Sequence, residues 1–303
     1  MFPKKLIVTG TQRSGTTLVH RILHAEGSYF CQNEIDDLND IAFDNRPKNK
    51  VSKGSIALTK IESSLNVNLN PKLSASTPSS ILDAALNNRA KLLNRLGWCI
   101  KDPKATYFLN EYEKAFPDAR FIIIFRDPRA VCRSYLDYRT FNLGRPTNLI
   151  AAALRWCREV ELQLSFANSN PSKTLLLNYE DLVIDFEPSC RKIAQFAGIH
   201  NIERMLSYYL HQDAGTEIHA GNQNIMLPPN PELIEKWRAN FSEKQISQIE
   251  SITGKAMKRL GYTAIGCSQK ISFFLKLYSI LSDKIQQEMR WQLAKKKSKT
   301  RQR

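Results

Sequence analysis

The sequence lacks several features that would place it in familiar protein classes. No apolar run approaches the roughly 20 residues of a transmembrane helix. The six cysteines form no CxxC pair, and most stand inside apolar patterns, which predicts buried thiols rather than disulfides or a zinc site. The chain starts MFPKK, without a secretory signal, so we expect a cytoplasmic protein. A peripheral contact of this protein with a membrane surface stays open.

Histidine patterns typical of metal sites are missing as well. Among the five histidines, His20 and His24 stand four residues apart, but no acidic residue accompanies them at a ligand spacing. We therefore expect no metal.

Acidic residues are scarce relative to basic ones. The chain has 29 Asp and Glu against 44 Lys and Arg, a formal net charge of +15. Seven of the basic residues lie in the last fourteen positions, which indicates either a solvated terminus or a contact with a membrane, a polyanion or a partner. The remaining excess suits an enzyme with anionic ligands; we expect no nucleic-acid partner, and a homodimer stays open.

Short apolar segments alternate with segments of helical period. The predicted strands are 6–9, 97–101, 121–125 and 175–177. The predicted helices are 16–25, 81–96, 107–116, 130–139, 149–168, 188–197 and 241–260. This alternation predicts an α/β class, a three-layer fold with a central parallel sheet and helices on both faces.

The pattern divides the chain into two parts. Residues 1–266 are predicted to form the α/β domain, with a polar, irregular or helical insertion at 43–80. Residues 267–303 are predicted to form an amphipathic helix, apolar over 271–281, and a basic tail. This helix either packs on the domain or lies on a membrane surface.

A loop with the spacing of a phosphate-binding loop follows the first strand. Gly10 and Gly15 are separated by four residues and precede a helix, so backbone N–H groups and the helix N-terminus favour an anion. The position after Gly15 is Thr16, where an NTP-hydrolysing loop carries Lys. A sulfuryl group carries less charge than a phosphoryl group, and no predicted strand ends in an Asp that could hold Mg²⁺. The loop is therefore compatible with the transfer of a sulfuryl group without a metal ion.

Two motifs together carry a family resemblance. QRSGTTL follows the first strand, and IFRDPRAVCRSYL begins about 110 residues later. They resemble the two binding elements of the sulfotransferases that use 3′-phosphoadenylyl sulfate (PAPS), and the RSGTT form is similar to tyrosylprotein sulfotransferases and their bacterial relatives. The resemblance covers residues 5–262 and implies a P-loop-like fold with PAPS as co-substrate.

The resemblance implies a set of nucleotide ligands. The first element would hold the 5′-phosphosulfate through Gln12, Arg13, Ser14, Gly15, Thr16 and Thr17. The second would hold the 3′-phosphate through Arg126 and Ser134. Members of the family carry a further basic ligand where this chain has Tyr138, so Arg133 or Arg139 would have to substitute for it.

The resemblance also implies two catalytic residues. Glu34 matches the carboxylate that takes the acceptor proton, with Asp36 or Asp37 as alternatives and an ordinary surface Glu as the simplest reading. Lys101, in CIKDP, matches the lysine that stabilises charge on the departing phosphate. Its alternative role is a salt bridge to Asp102.

Three further positions match the nucleotide pocket of the family. Tyr179 is either a pocket residue or an aromatic cap on its strand. The stretch 221–230, with Asn222, resembles a loop that closes over the nucleotide, and Lys236 would bind phosphate. We expect Trp237 to be a core residue.

The combined prediction is a metal-independent, PAPS-dependent sulfotransferase acting on a hydroxyl of a glycan, glycolipid, phenol or peptide tyrosine. The alternatives are a Mg²⁺-dependent small-molecule kinase and a non-catalytic nucleotide-binding protein of the same fold. The basic, amphipathic C-terminal part favours a lipid-linked acceptor slightly.

Overall fold

The computed structural model describes residues 4–35, 38–43, 50–137, 145–211, 223–266 and 271–301. Several residues named above lie outside these ranges, namely Asp36, Asp37, Tyr138, Arg139 and Asn222, and so does the sixth cysteine, Cys267. The chain forms two compact units, Met1–Ile124 with Leu162–Pro229, and Phe125–Glu161 with Asn230–Arg303. The predicted boundary at 266–267 stays a prediction.

The first unit is built on a five-stranded sheet. Its strands are β1 (Lys5–Thr9), β2 (Tyr29–Gln32), β3 (Gly97–Lys101), β4 (Arg120–Phe125) and β5 (Thr174–Asn178), in the order β2-β3-β1-β4-β5. The pairs β1–β3, β1–β4 and β2–β3 are parallel. With helices flanking the sheet, the predicted α/β class is confirmed.

Twelve α-helices lie in the described part of the chain. In chain order they are α1 (Thr16–Glu26), α2 (Leu38–Phe43), α3 (Lys50–Leu65), α4 (Pro78–Leu92), α5 (Leu109–Ala115), α6 (Pro128–Asp137), α7 (Leu149–Ser169), α8 (Tyr179–Ile184), α9 (Phe186–Ala197), α10 (Glu203–Leu206), α11 (Glu243–Arg259) and α12 (Phe273–Arg301). Within 43–80 the described residues include the last residue of α2, then α3, a 3-10 turn and the start of α4.

Burial follows the sequence pattern of the central strands. In β4, RFIIIF, every residue after Arg120 is buried, as expected for a parallel strand covered on both faces. The strand β2 was not predicted from the sequence; its four residues pair in parallel with β3. The cysteines of the described residues are free thiols, four of them buried and Cys157 partly exposed.

None of the helices in the described part of the chain combines the length and the apolar character of a membrane-crossing segment. The predicted cytoplasmic location stays a prediction.

A buried charge network organises the second unit. The Arg129 guanidinium pairs with Asp127 and with Glu250, each at 2.6 Å, and lies 4.4 Å from the Trp237 ring. The Glu250 carboxylate also accepts the backbone N–H groups of Ile265 and Gly266. Because a buried charge is stable only when it is paired and hydrogen-bonded, this network joins α6, α11 and the segment after α11. Trp237 is buried in this unit, as predicted.

We predict a large stability loss when this network is broken. The change Glu250→Ala leaves Arg129 without one buried carboxylate and removes the acceptor for two N–H groups, which should lower the free energy of unfolding by about 3 kcal/mol or more. Urea denaturation measures it. The control Glu161→Ala breaks the exposed 2.7 Å pair with Arg259 and should cost less than about 1 kcal/mol. Equal losses would contradict this role for Glu250.

Candidate functional site

At two positions of the loop between β1 and α1, the surrounding atoms leave room only for glycine. A Cβ atom on Gly10 would overlap the carbonyl oxygen of Ile124 in β4. A Cβ atom on Gly15 would overlap the ring of Tyr179, and Gly15 has a left-handed φ of 99°. The spacing of the two glycines therefore reflects a close approach of the loop to β4 and to the start of α8.

The loop interior contains polar atoms without hydrogen-bond partners. Arg13 adopts a left-handed φ of 75°, and the Ser14 N–H donates to the Thr11 carbonyl at 3.0 Å, which turns the chain. Within the described residues, Thr11 Oγ1, Gln12 Oε1 and Ser14 Oγ are buried and accept or donate no hydrogen bond. Buried polar groups are normally paired, so these three atoms fit a polar ligand held by the loop.

The N-terminus of α1 adds positive potential at the same place. Gly15 caps the helix without a side-chain hydrogen bond, and no acidic residue stands in the first turn. The helix dipole and the first N–H groups are therefore not offset by a carboxylate of that turn, which favours an anion. Thr16 is buried and Thr17 is half-buried at this end of the helix.

Glu34 and Lys101 form an ion pair at the carboxyl end of the sheet. Lys101 is the last residue of β3 and stands in register with Val8 of β1, just before the loop. Its side chain is only 3% exposed, and its Nζ donates to Glu34 Oε1 at 2.7 Å. Glu34 follows β2 by two residues, and its side chain is 41% exposed. The pair thus joins a buried cation to a carboxylate that solvent or a substrate can reach.

Asp102 is engaged elsewhere. Its carboxylate caps the following 3-10 turn by accepting the Lys104 N–H at 2.8 Å, and it accepts from Asn39 Nδ2 at 2.6 Å. Burial raises the pKa of Asp102, and these two hydrogen bonds oppose that shift. The structure therefore pairs Lys101 with Glu34, and Asp102 serves as a structural cap.

A buried histidine lies close enough to Lys101 for the two side chains to interact electrostatically. His20 on α1 is buried, and burial, with the positive charge of Lys101 as the second cause, lowers the pKa of His20 to about 3. His20 therefore adds no charge near Lys101 at neutral pH. Sequence reasoning considered His20 only as a metal ligand, and its adjacency to Lys101 has no signal in the sequence.

Sequence reasoning also missed Thr11. Its hydroxyl is buried in the loop beside those of the predicted ligands, and the side chain is 1% exposed. Its position inside the Gly10–Gly15 spacing was the available signal. Tyr179 is half-buried and contributes the ring that Gly15 approaches, so it both follows β5 and lines the loop.

The predicted ligands Arg126, Ser134 and Lys236 belong to the second unit. Arg126 follows β4 directly, is half-buried, and its carbonyl accepts the Trp156 Nε1–H at 3.1 Å. Ser134 lies two turns later on α6 and is partly exposed. Arg133 pairs with Asp137 at 2.5 Å and contacts Asn240, so a role as phosphate ligand would require it to leave these partners. Lys236 is exposed to solvent.

No group of three or more His, Cys, Asp or Glu side chains in the described part of the chain is arranged to hold a metal ion.

Comparison with known proteins connects this geometry to a family. A sequence model described as "Sulfotransferase family" matches residues 4–203. Protein-tyrosine sulfotransferase 1 of Danio rerio is 24% identical over 271 residues, which cover 85% of this chain and 72% of the relative.

Two solved structures share the fold. The sulfotransferase domain from the curacin biosynthetic pathway aligns with a TM-score of 0.60 and 17% identity, over 88% of this chain and 99% of that domain. A mouse sulfotransferase complexed with PAP aligns with a TM-score of 0.50 and 14% identity, over 85% of this chain and 86% of that one.

The family match spans well over half of the chain, including the loop, Glu34 and Lys101. It confirms the predicted family and the predicted enzyme class. The chain belongs to the sulfotransferase family.

Proposed function

We propose that this enzyme transfers a sulfuryl group from PAPS to an acceptor hydroxyl. The observation that carries the proposal is the Glu34–Lys101 pair, a reachable carboxylate bonded to a buried cation beside a loop with unpaired polar atoms. Similar proteins give two further supports. The mouse enzyme of the same fold was solved with PAP, the product that remains when PAPS loses its sulfuryl group. The zebrafish relative is named for a tyrosine acceptor.

The loop residues would bind the 5′ end of PAPS. Backbone N–H groups at the start of α1 and the hydroxyls of Thr11, Ser14, Thr16 and Thr17 offer donors to anionic oxygens. Gln12 and Arg13 would bind through their side chains, and Gly15 permits the close approach. Tyr179, Arg126, Ser134, Asn222 and Lys236 are the residues that we propose for the remaining parts of the nucleotide, on the basis of their match to the family pattern.

Glu34 and Lys101 would perform the proton and charge steps. The acceptor oxygen forms a bond to sulfur while the bond between sulfur and the 5′-phosphate oxygen breaks. Glu34 takes the proton that the acceptor hydroxyl loses, which general-base catalysis requires. Lys101 meets the negative charge that develops on the departing phosphate, and PAP leaves. PAPS supplies the sulfuryl group, and the side chains named here need no metal for these steps.

Family membership favours sulfuryl transfer over the kinase alternative. We propose that the acceptor is a hydroxyl group. A tyrosine in a peptide and a carbohydrate are the two acceptor classes to test first. A homodimer stays a prediction.

We predict that transfer of ³⁵S from labelled PAPS persists in excess EDTA. The reason is that Lys101 and the loop N–H groups supply the positive charge that Mg²⁺ supplies in phosphoryl transfer. Incorporation into tyrosine peptides, glycans and a fractionated cell extract gives the readout. Strict dependence on added Mg²⁺ would overturn the metal-free mechanism, and PAP binding without transfer to any acceptor would favour a binding protein.

We predict that Glu34→Gln lowers kcat by about 10²–10⁴-fold while the Kd for PAP, measured by calorimetry, changes little. The amide keeps the shape of the side chain but cannot take the proton. The matched control is Glu113→Gln, since Glu113 also pairs with a lysine, Lys173, at 2.6 Å. Near-normal kcat in Glu34→Gln would remove Glu34 from the mechanism.

We predict that Ser14→Ala separates stability from ligand binding. The Ser14 hydroxyl is buried without a partner, so its removal should leave the free energy of unfolding unchanged or raise it by up to about 1 kcal/mol. The affinity for PAP should fall by about 10- to 150-fold, since a hydrogen bond to a charged group contributes about 1.5–3 kcal/mol.

The matched control is another buried serine. Ser189 donates to the Asp181 carbonyl at 3.2 Å, so Ser189→Ala should lower stability and leave PAP binding unchanged. If Ser14→Ala lost stability and kept full affinity, the loop hydroxyl would be a structural group.

A further inference from the structure

The helix α12 contacts the rest of the second unit through its polar side. Ser279 is buried, and its carbonyl accepts the Asn148 side-chain N–H at 2.8 Å. Asp283, one turn later, accepts the Thr147 hydroxyl at 2.7 Å and the Thr147 backbone N–H. These residues, spaced by four, define the inward face of the helix.

The opposite face of α12 is apolar and exposed. Phe274, Leu277, Leu281 and Ile285 follow the three- and four-residue spacing of one helix face. The exposed fractions are large: 80% for Phe274, 51% for Leu281 and 61% for Ile285. Other exposed apolar residues extend this face, namely Phe273, Tyr278 and Met289.

This arrangement is the reverse of an ordinary surface helix. A helix that closes a soluble domain buries its apolar stripe and exposes its polar face. Here the polar hydrogen bonds hold the helix in place and turn the apolar stripe outward. A contiguous exposed apolar surface of this kind marks an interaction site.

The charge of the same segment indicates what covers it. Seven Lys and Arg and no Asp or Glu lie in the last fourteen residues, directly after the apolar stripe. A second copy of the chain would bring an equal positive charge, which is repulsive. An anionic bilayer offers acyl chains to the stripe and negative headgroups to the basic residues, so it matches both.

We infer that α12 is an interfacial membrane helix, which lies in the plane of an anionic lipid surface with its stripe (Phe274, Leu277, Leu281 and Ile285) in the headgroup–acyl boundary. The hydrogen bonds from Thr147 and Asn148 hold the helix with its stripe toward solvent before the protein binds a membrane. This inference is independent of the sulfuryl-transfer mechanism.

Vesicle cosedimentation of the full chain tests the inference. Wild type should bind vesicles of phosphatidylcholine mixed with phosphatidylserine, and should bind pure phosphatidylcholine much more weakly. The double change Leu281→Ser with Ile285→Ser should weaken binding about a hundredfold, because each aliphatic side chain buried in the bilayer contributes about tenfold to the partition coefficient. Added salt should weaken binding further, since it screens the headgroup attraction.

A matched control separates this face from apolar exposure in general. Leu92→Ser with Leu96→Ser removes two leucines, also four residues apart and 66% and 63% exposed, and should leave vesicle binding unchanged. Transfer activity on a soluble acceptor should be the same for wild type and both double variants.

Two results would overturn the inference. One is equal vesicle binding by wild type and the Leu281→Ser, Ile285→Ser variant. The other is absence of vesicle binding together with a wild-type dimer in sedimentation velocity that the same variant converts to monomer, which would assign the stripe to a second copy.

Discussion

The functional end of the first unit depends on one buried cation. Lys101 is almost inaccessible to solvent, and a charge in that position is stable only with a close partner. Its neighbour in sequence, Asp102, is committed to Asn39 and to the Lys104 N–H. The partner is therefore Glu34, which follows a different strand. The pair holds the segment after β2 against the end of β3. The Glu34 carboxylate stands where it does because the buried Lys101 ammonium group needs a partner there.

The loop after β1 is under a second constraint, which is steric. It passes so close to Ile124 and Tyr179 that Gly10 and Gly15 have no room for a side chain. In the same loop the hydroxyls of Thr11 and Ser14 are buried and have no hydrogen-bond partner among the described residues. Such unpaired groups cost stability, so the loop is better suited to a bound ligand than to its absence.

Much of the fold follows from local sequence, and the site follows from it only in part. The strands β1, β3 and β4 were predictable because short apolar runs, LIV, WCI and FIIIF, mark the centre of a parallel sheet. The strand β2, YFCQ, is too short for a periodic signal and exists because β3 offers it an edge. The helix α12 was predicted only through its apolar part and runs on to Arg301, because its Lys and Gln residues favour helix without any apolar period. The contact between Glu34 and Lys101, 67 residues apart, is set by strand order, which no local pattern encodes.

In the mechanism that we propose, the Glu34–Lys101 pair would let a loop without lysine serve a transfer reaction. Thr16 stands where the loop of an NTP-hydrolysing enzyme has its cation, and Lys101 brings a cation to the same edge of the sheet from β3 instead. That cation is neutralised by Glu34 in the resting protein. In the proposed reaction, the proton that reaches Glu34 removes the negative partner of Lys101. The charge of Lys101 can then stabilise the negative charge that develops on the departing phosphate as the sulfur–oxygen bond breaks. Proton uptake by Glu34 and charge stabilisation by Lys101 are therefore coupled through the ion pair between the two side chains.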